Sequence, residues 1–150
     1  MDDTANPKAI FDEGMSLIAR GHPGAAMEYF EKLINLGHKH PSCYSWLGIT
    51  MARSKWDLAE AEKCCKLALQ MDRTKPQYFL NLAEVYAQKG LKDKAIETLK
   101  SGLKVDKRNR AILTELAKFG IRRPPPLPFL SRENFINKQL GLFLAKIGLR

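Results

Sequence analysis

The sequence predicts an all-α fold in which helix pairs stack side by side into a solenoid. Three observations predict it. Prolines at 41 and 76 open stretches of matching pattern, CYSWLGITMARSKWDLAEAEKCCKLALQMD and YFLNLAEVYAQKGLKDKAIETLKSGLKVD. Aligned on Leu47-Gly48 and Leu82-Ala83, each gives an aromatic-led helix, a polar turn and a second helix. Small residues recur at fixed places, Gly14, Gly48 and Ala83 in the first helices and Ala26, Ala61 and Ala95 in the second. Small residues there let antiparallel helices approach closely, while large apolar residues fill the space between successive pairs.

The elements follow in order. A weaker copy of the pattern, with Gly14, Leu17, Gly21, Ala26 and Phe30 at the same offsets, makes a first unit over 7–40. Units over 41–75 and 76–109 follow. No pair buries its apolar face alone, so stability needs the stack. RAILTELAKFG then gives a capping helix over 110–119, with Leu113, Leu116 and Ala117 placed as in a fourth first helix and Gly120 ending it. This solenoid domain spans 1–121, and a distinct segment occupies 122–150.

That segment abandons the pattern. Arg122 to Leu130 holds four prolines in nine residues, which removes donors and favours polyproline II, a spacer of roughly 28 Å at about 3.1 Å per residue. Ser131 offers an N-cap and Glu133 a favourable first-turn charge. Phe135, Ile136, Leu140, Phe143, Leu144 and Ile147 then recur at helical spacing, opposite Lys138, Gln139 and Lys146. Gly141 and Gly148 each weaken this helix by about 1 kcal/mol relative to Ala, so it forms fully only against a surface.

The repeated units resemble the tetratricopeptide repeat, a 34-residue motif with an aromatic, Leu-Gly, Tyr, Ala, Phe and Pro at set places. The third unit matches best, with Phe79, Leu82, Ala83, Tyr86, Gly90, Ala95 and Leu99 in phase. Departures are an extra residue around Lys55-Trp56, and Gly102 and Lys107 where Ala and Pro are usual. The resemblance covers roughly 7–109 and implies a right-handed superhelix of three pairs with a groove lined by the first helices. It places at the groove positions two, five, nine and twelve of each first helix: Lys8, Phe11, Met15 and Ile18; Ser42, Ser45, Ile49 and Ala52; Gln77, Leu80, Glu84 and Ala87. A register shift of one would turn some of these to the core. Much of this stripe is apolar, and a continuous exposed apolar strip calls for a cover.

The family's clamp for acidic chaperone peptides uses Lys, Asn and Arg, and the corresponding positions here hold Phe11, Met15, Trp46, Gln77 and Asn81. The clamp is absent, although the resemblance leaves Asn81 as a possible partner for a peptide backbone. The stretch from Gly120 to Asn134 is also similar to the ending of certain small bacterial repeat proteins, which implies a bacterial origin. Arg122, Pro125 and Pro128 fit a basic polyproline ligand pattern as well, one that chance produces often.

Composition limits the rest. At 150 residues the chain is long enough to bury well over half its unfolded surface. Cys43, Cys64 and Cys65 are odd in number and lack metal-ligand spacing, so neither a disulfide framework nor a zinc knuckle fits. With an acidic N-terminus and no long apolar run, this points to a cytoplasmic protein. His22, His38 and His40 fall in turns without ligand partners, and no nucleophile elbow or phosphate loop occurs, so the expectation is no enzyme, no metal and no cofactor. The net charge of +9 divides into +1 over residues 1–100 and +8 over 101–150. Any electrostatic role belongs to the basic end.

The function expected is therefore a non-catalytic scaffold that binds a protein or peptide in an apolar groove. Its groove residues are Phe11, Met15, Ile18, Ile49, Gln77, Leu80, Asn81 and Glu84. The terminal helix is expected to dock over this groove or the last repeat through Phe135, Leu140, Phe143, Leu144 and Ile147, in a monomer or a tail-swapped homodimer. Alternatives are a chaperone for secreted apolar segments and a nucleic-acid or polyanion binder using Lys104, Lys107, Arg108, Arg110, Arg122, Arg123 and Arg132. Charges that only solubilise the basic end weigh against nucleic acid, and two lysines opposed by Glu133 weigh against a membrane.

Overall fold

The computed structural model describes residues 6–120 and 134–146. The proline run, the Ser131 cap, Glu133, Arg122, Arg123, Arg132, Ile147 and Gly148 lie outside the described residues. The described secondary structure is helical throughout: α1 (Pro7–Ala19), α2 (Pro23–Asn35), α3 (Pro41–Arg53), α4 (Leu58–Met71), α5 (Pro76–Gln88), α6 (Lys92–Val105), α7 (Arg110–Lys118) and α8 (Phe135–Lys146). The chain divides into two compact units, one ending at Phe119 and one beginning at Gly120.

Local chemistry sets the helix starts. Pro7, Pro23, Pro41 and Pro76 each occupy the first turn, where a missing N–H costs nothing and a fixed φ is already helical. Asp57 caps α4 by accepting from the Ala59 and Glu60 amides at 2.8 and 3.0 Å, and Asn109 caps α7 through the Ile112 amide. His40 is more than a turn residue: its Nδ1 accepts from the Ser42 amide at 3.2 Å and so caps α3. The turns after α1 and α5 close on Gly21 and Gly90 with φ of 80° and 75°. After α3 the same place is held by Lys55 at φ 57°, and the extra residue of that turn leaves Trp56 75% exposed.

Packing follows chain order. α1 to α6 pack successively, α6 packs on α7, and α3 packs on α5 and α5 on α7 across the first helices. The core lies between the two layers: Phe30, Leu33, Ile49, Val85, Leu99 and Ile112 are fully buried. Ala26, Ala61 and Ala95 have no exposed surface. A Cβ at Gly48 would stand 2.5 Å from Cys65 Sγ and 2.7 Å from the Ala61 carbonyl oxygen, so the α3–α4 approach requires glycine. Gly102 has an equally local cause. A Cβ there would stand 2.7 Å from Ile112 Cδ1 and 3.0 Å from Phe79 Cβ, so the usual Ala has yielded to the seating of Ile112. Accordingly α7 buries Ile112 and Leu116 and leaves Leu113 half-buried and Ala117 exposed.

Ion pairs tie the pairs together. Glu62 of α4 reaches both Lys66, at 2.5 Å, and Lys89 at the end of α5. The lysines at 66 and 94 also stand about 6 Å from the Tyr86 ring centre. The cysteines are packing residues. Burial pushes the Cys64 thiol up to about 11 and raises those of Cys65 and Cys43.

The second unit contains α8. Asn134 caps it through the Ile136 amide at 3.0 Å, three residues beyond the Ser131 that the sequence favours. Phe135, Ile136, Leu142 and Phe143 are exposed, and Leu140 and Leu144 are half-buried. No helix among the described residues is long and apolar enough to cross a membrane.

Candidate functional site

The first helices α3, α5 and α7 share one face, and a pocket of about 240 Å³ opens on it. Leu80, Ala87, Ala111 and Phe119 supply its apolar surface, and Gln77, Glu84, Glu115 and Arg53 its polar rim. Each polar group has a hydrogen-bond partner. Arg53 Nε and Nη2 donate to the two oxygens of Glu84 at 2.8 Å each, a fork that joins the end of α3 to α5. This hydrogen bonding with Glu84 raises the Arg53 pKa above its ordinary value, burial opposes it, and the Glu84 and Glu115 charges add to it. Glu115 in turn pairs with Lys118 at 2.6 Å.

The predicted groove residues separate into two groups. Gln77, Leu80, Asn81 and Glu84 come together at this pocket. Phe11, Met15 and Ile18 lie half-buried on α1, Phe11 edge-on to Phe30 with ring centres 5.5 Å apart. Ile49 does not reach the surface: it is fully buried, as are Ser45 and Ala52. The reason is α3's central place, packed by α2, α4 and α5 at once, which leaves its middle turns no open stripe. Asn81 is also consumed. It is 2% exposed, its Nδ2 donates to the Ser45 carbonyl and hydroxyl oxygens at 3.3 and 2.9 Å, and its Oδ1 accepts from Gln77 Nε2 at 2.8 Å. It braces α5 against α3 and has no donor left for a ligand.

Sequence reasoning missed Arg53, Ala111, Glu115 and Phe119. Carrying the stripe onto α7 finds Ala111, the second residue of that helix as Gln77 is of α5. Arg53 falls one place past the last stripe position of α3, and only its partner on the next first helix identifies it.

Among the described residues no cluster of three His, Cys, Asp or Glu could hold a metal ion. The pocket brings together ion-paired rim groups and an apolar floor, chemistry suited to gripping a side chain or a helix face.

Comparison with known proteins agrees with the helical-repeat fold. Residues 76–109 match the model of the tetratricopeptide repeat. No curated protein matches the chain. Among solved structures, the first such domain of Spaghetti (RPAP3) bound to an HSP90 peptide is similar at 18% identity, with 79% of this chain and 93% of that one covered and a TM-score of 0.67. The second such domain of human RPAP3, in complex with an HSP70 peptide, gives 19% identity, 78% and 100% coverage and 0.64. PcrH in complex with the chaperone binding region of PopB gives 21%, 80% and 94%, and 0.62. Residues 76–109 thus match the tetratricopeptide repeat, and the chain shares the fold of the tetratricopeptide-repeat domains it is similar to.

Proposed function

We propose that this chain is a non-catalytic adaptor that holds a peptide or helix of a partner protein on the shared face of α3, α5 and α7. The pocket there carries the reading: an apolar floor at Leu80, Ala87, Ala111 and Phe119, ringed by the polar groups of Arg53, Gln77, Glu84 and Glu115. Support comes from proteins of like fold whose structures contain bound peptides. The helix α8, with Phe135 and Phe143 exposed, is a second element of the proposal: an apolar helix suited to cover such a face in its own chain or a second copy.

Selection of a displayed random-peptide library on the immobilised full chain tests this. Enriched peptides should lose binding to Leu80→Asp and keep it with Lys100→Asp on the second-helix side. No enrichment, or peptides indifferent to Leu80→Asp, would overturn the reading. The role of α8 is tested by ending the chain at Gly120: an unchanged melting temperature and unchanged binding of an apolar dye would remove it.

A second reading, a chaperone for secreted apolar segments, draws support from the likeness to PcrH bound to the chaperone binding region of PopB. The same selection separates the two. Long apolar peptides without a shared pattern would favour the chaperone, and a fixed motif the adaptor.

A further inference from the structure

The pocket also carries information about the charge of its occupant. Its lining has one cation, Arg53, and two carboxylates, Glu84 and Glu115. The charge of that cation is already matched, since Glu84 accepts from Nε and Nη2 of Arg53 with both of its oxygens. Glu115 differs. Its hydrogen-bonded partner is Lys118, three residues along the same helix, with side chains 64% and 39% exposed for Lys118 and Glu115. An exposed pair of that kind is worth little and yields readily to a better-placed cation.

An acidic segment entering here would bring a third carboxylate to two existing ones, against a single guanidinium whose charge Glu84 already matches. A lysine or arginine would find two carboxylates on neighbouring first helices, α5 and α7, above the apolar surfaces of Leu80, Ala87, Ala111 and Phe119. Partial burial strengthens such a contact, because the surrounding protein screens less than water.

We infer that the segment recognised on this face is a cationic apolar peptide, with one lysine or arginine lodged between Glu84 and Glu115 and apolar side chains on either flank. This rests on the peptide-binding reading above and adds the sign of the partner. It reverses the charge preference expected from the acidic peptides SRMEEVD and SGPTIEEVD held by the structurally similar domains.

The test uses three fluorescein-labelled synthetic peptides, ALALKALAL, ALALQALAL and ALALEALAL, titrated against the full chain in low and high salt. Each is repeated with the Phe135→Ala, Phe143→Ala chain, so that its own terminal helix does not mask the pocket. The lysine peptide should bind on the order of tenfold more tightly than the glutamate peptide at low salt. That advantage should shrink to about twofold in Glu115→Gln and at high salt, while the glutamine peptide is unmoved by the substitution. Lys118→Gln, which frees Glu115, should tighten the lysine peptide by about twofold. Equal or tighter binding of the glutamate peptide overturns the inference and leaves the groove reading standing, as does a lysine preference that Glu115→Gln does not reduce. Failure of all three peptides to bind either chain overturns both. A thermal melt of each variant confirms that these exposed substitutions leave the fold intact.

Discussion

Arg53 and Glu84 meet across two successive first helices in a two-pronged pair, both hydrogen bonds 2.8 Å long and both side chains 38% exposed. The pair fixes the rim of the pocket and joins α3 to α5 at the surface, as Asn81 and Ser45 join them in the core. Partial exposure limits its worth. A double-mutant cycle with Arg53→Met and Glu84→Gln, followed by urea unfolding, should give a coupling of about 0.5–1 kcal/mol that falls with added salt. No coupling would show that the fork contributes nothing in solution.

Gly48→Ala should cost about 2–3 kcal/mol, because the new methyl meets Cys65 Sγ at 2.5 Å and the Ala61 carbonyl oxygen at 2.7 Å. The second contact is backbone and has no rotamer with which to escape. Adding Cys65→Ala should therefore restore only part of the loss. Full restoration in the double variant, read by urea unfolding, would mean that the carbonyl contact is not limiting.

Acid should unfold the chain partly through Glu62. Hydrogen bonds from Lys66, then Lys89, hold its carboxyl at about 2, below its ordinary value of 4.5. A carboxyl whose folded pKa is depressed adds stability above its unfolded value and loses it as pH falls toward the folded one. The window is therefore about pH 4.5 down to 2. Because Lys66 is half exposed, Glu62→Gln should cost about 1–2 kcal/mol at neutral pH and flatten the stability profile through that window. An unchanged acid slope would assign acid sensitivity to other carboxylates.

The α3–α4 turn supplies a stabilising change. Lys55 sits at φ 57° where the equivalent turns use glycine, so Lys55→Gly should gain about 0.5–1 kcal/mol after the extra freedom of the unfolded chain is deducted. Trp56→Ser beside it should stay within about 0.5 kcal/mol, since the ring is 75% exposed. A destabilised Lys55→Gly would show that the lysine side chain holds the turn.

Much of this architecture is legible in the sequence because the repeat encodes it redundantly. Gly14, Gly48, Ala61 and Ala95 mark close helix approaches, and Pro41 and Pro76 mark helix starts, so errors in one signal are corrected by another. The site is less legible, for a physical reason. A stripe assigned by position treats all first helices alike, but α3 is enclosed on more sides than α1 or α7, so Ile49 and Ser45 disappear into the core. Asn81 offers an amide suited to a peptide backbone, and no sequence feature shows that Ser45, 36 residues earlier, uses both of its N–H groups. The exchange of Ala for Gly at 102 stands out as a departure in the sequence, yet only the seating of Ile112 explains it.

The central claim is that a partner peptide lies on the face shared by α3, α5 and α7. Backbone amide NMR of the full chain, titrated with the lysine-bearing peptide, tests it most directly. The account predicts shifts concentrated at Gln77, Leu80, Glu84, Ala87, Ala111 and Phe119, saturating together with one dissociation constant. Shifts confined to the second helices, around Lys63 and Lys100, or spread evenly without saturation, would contradict it.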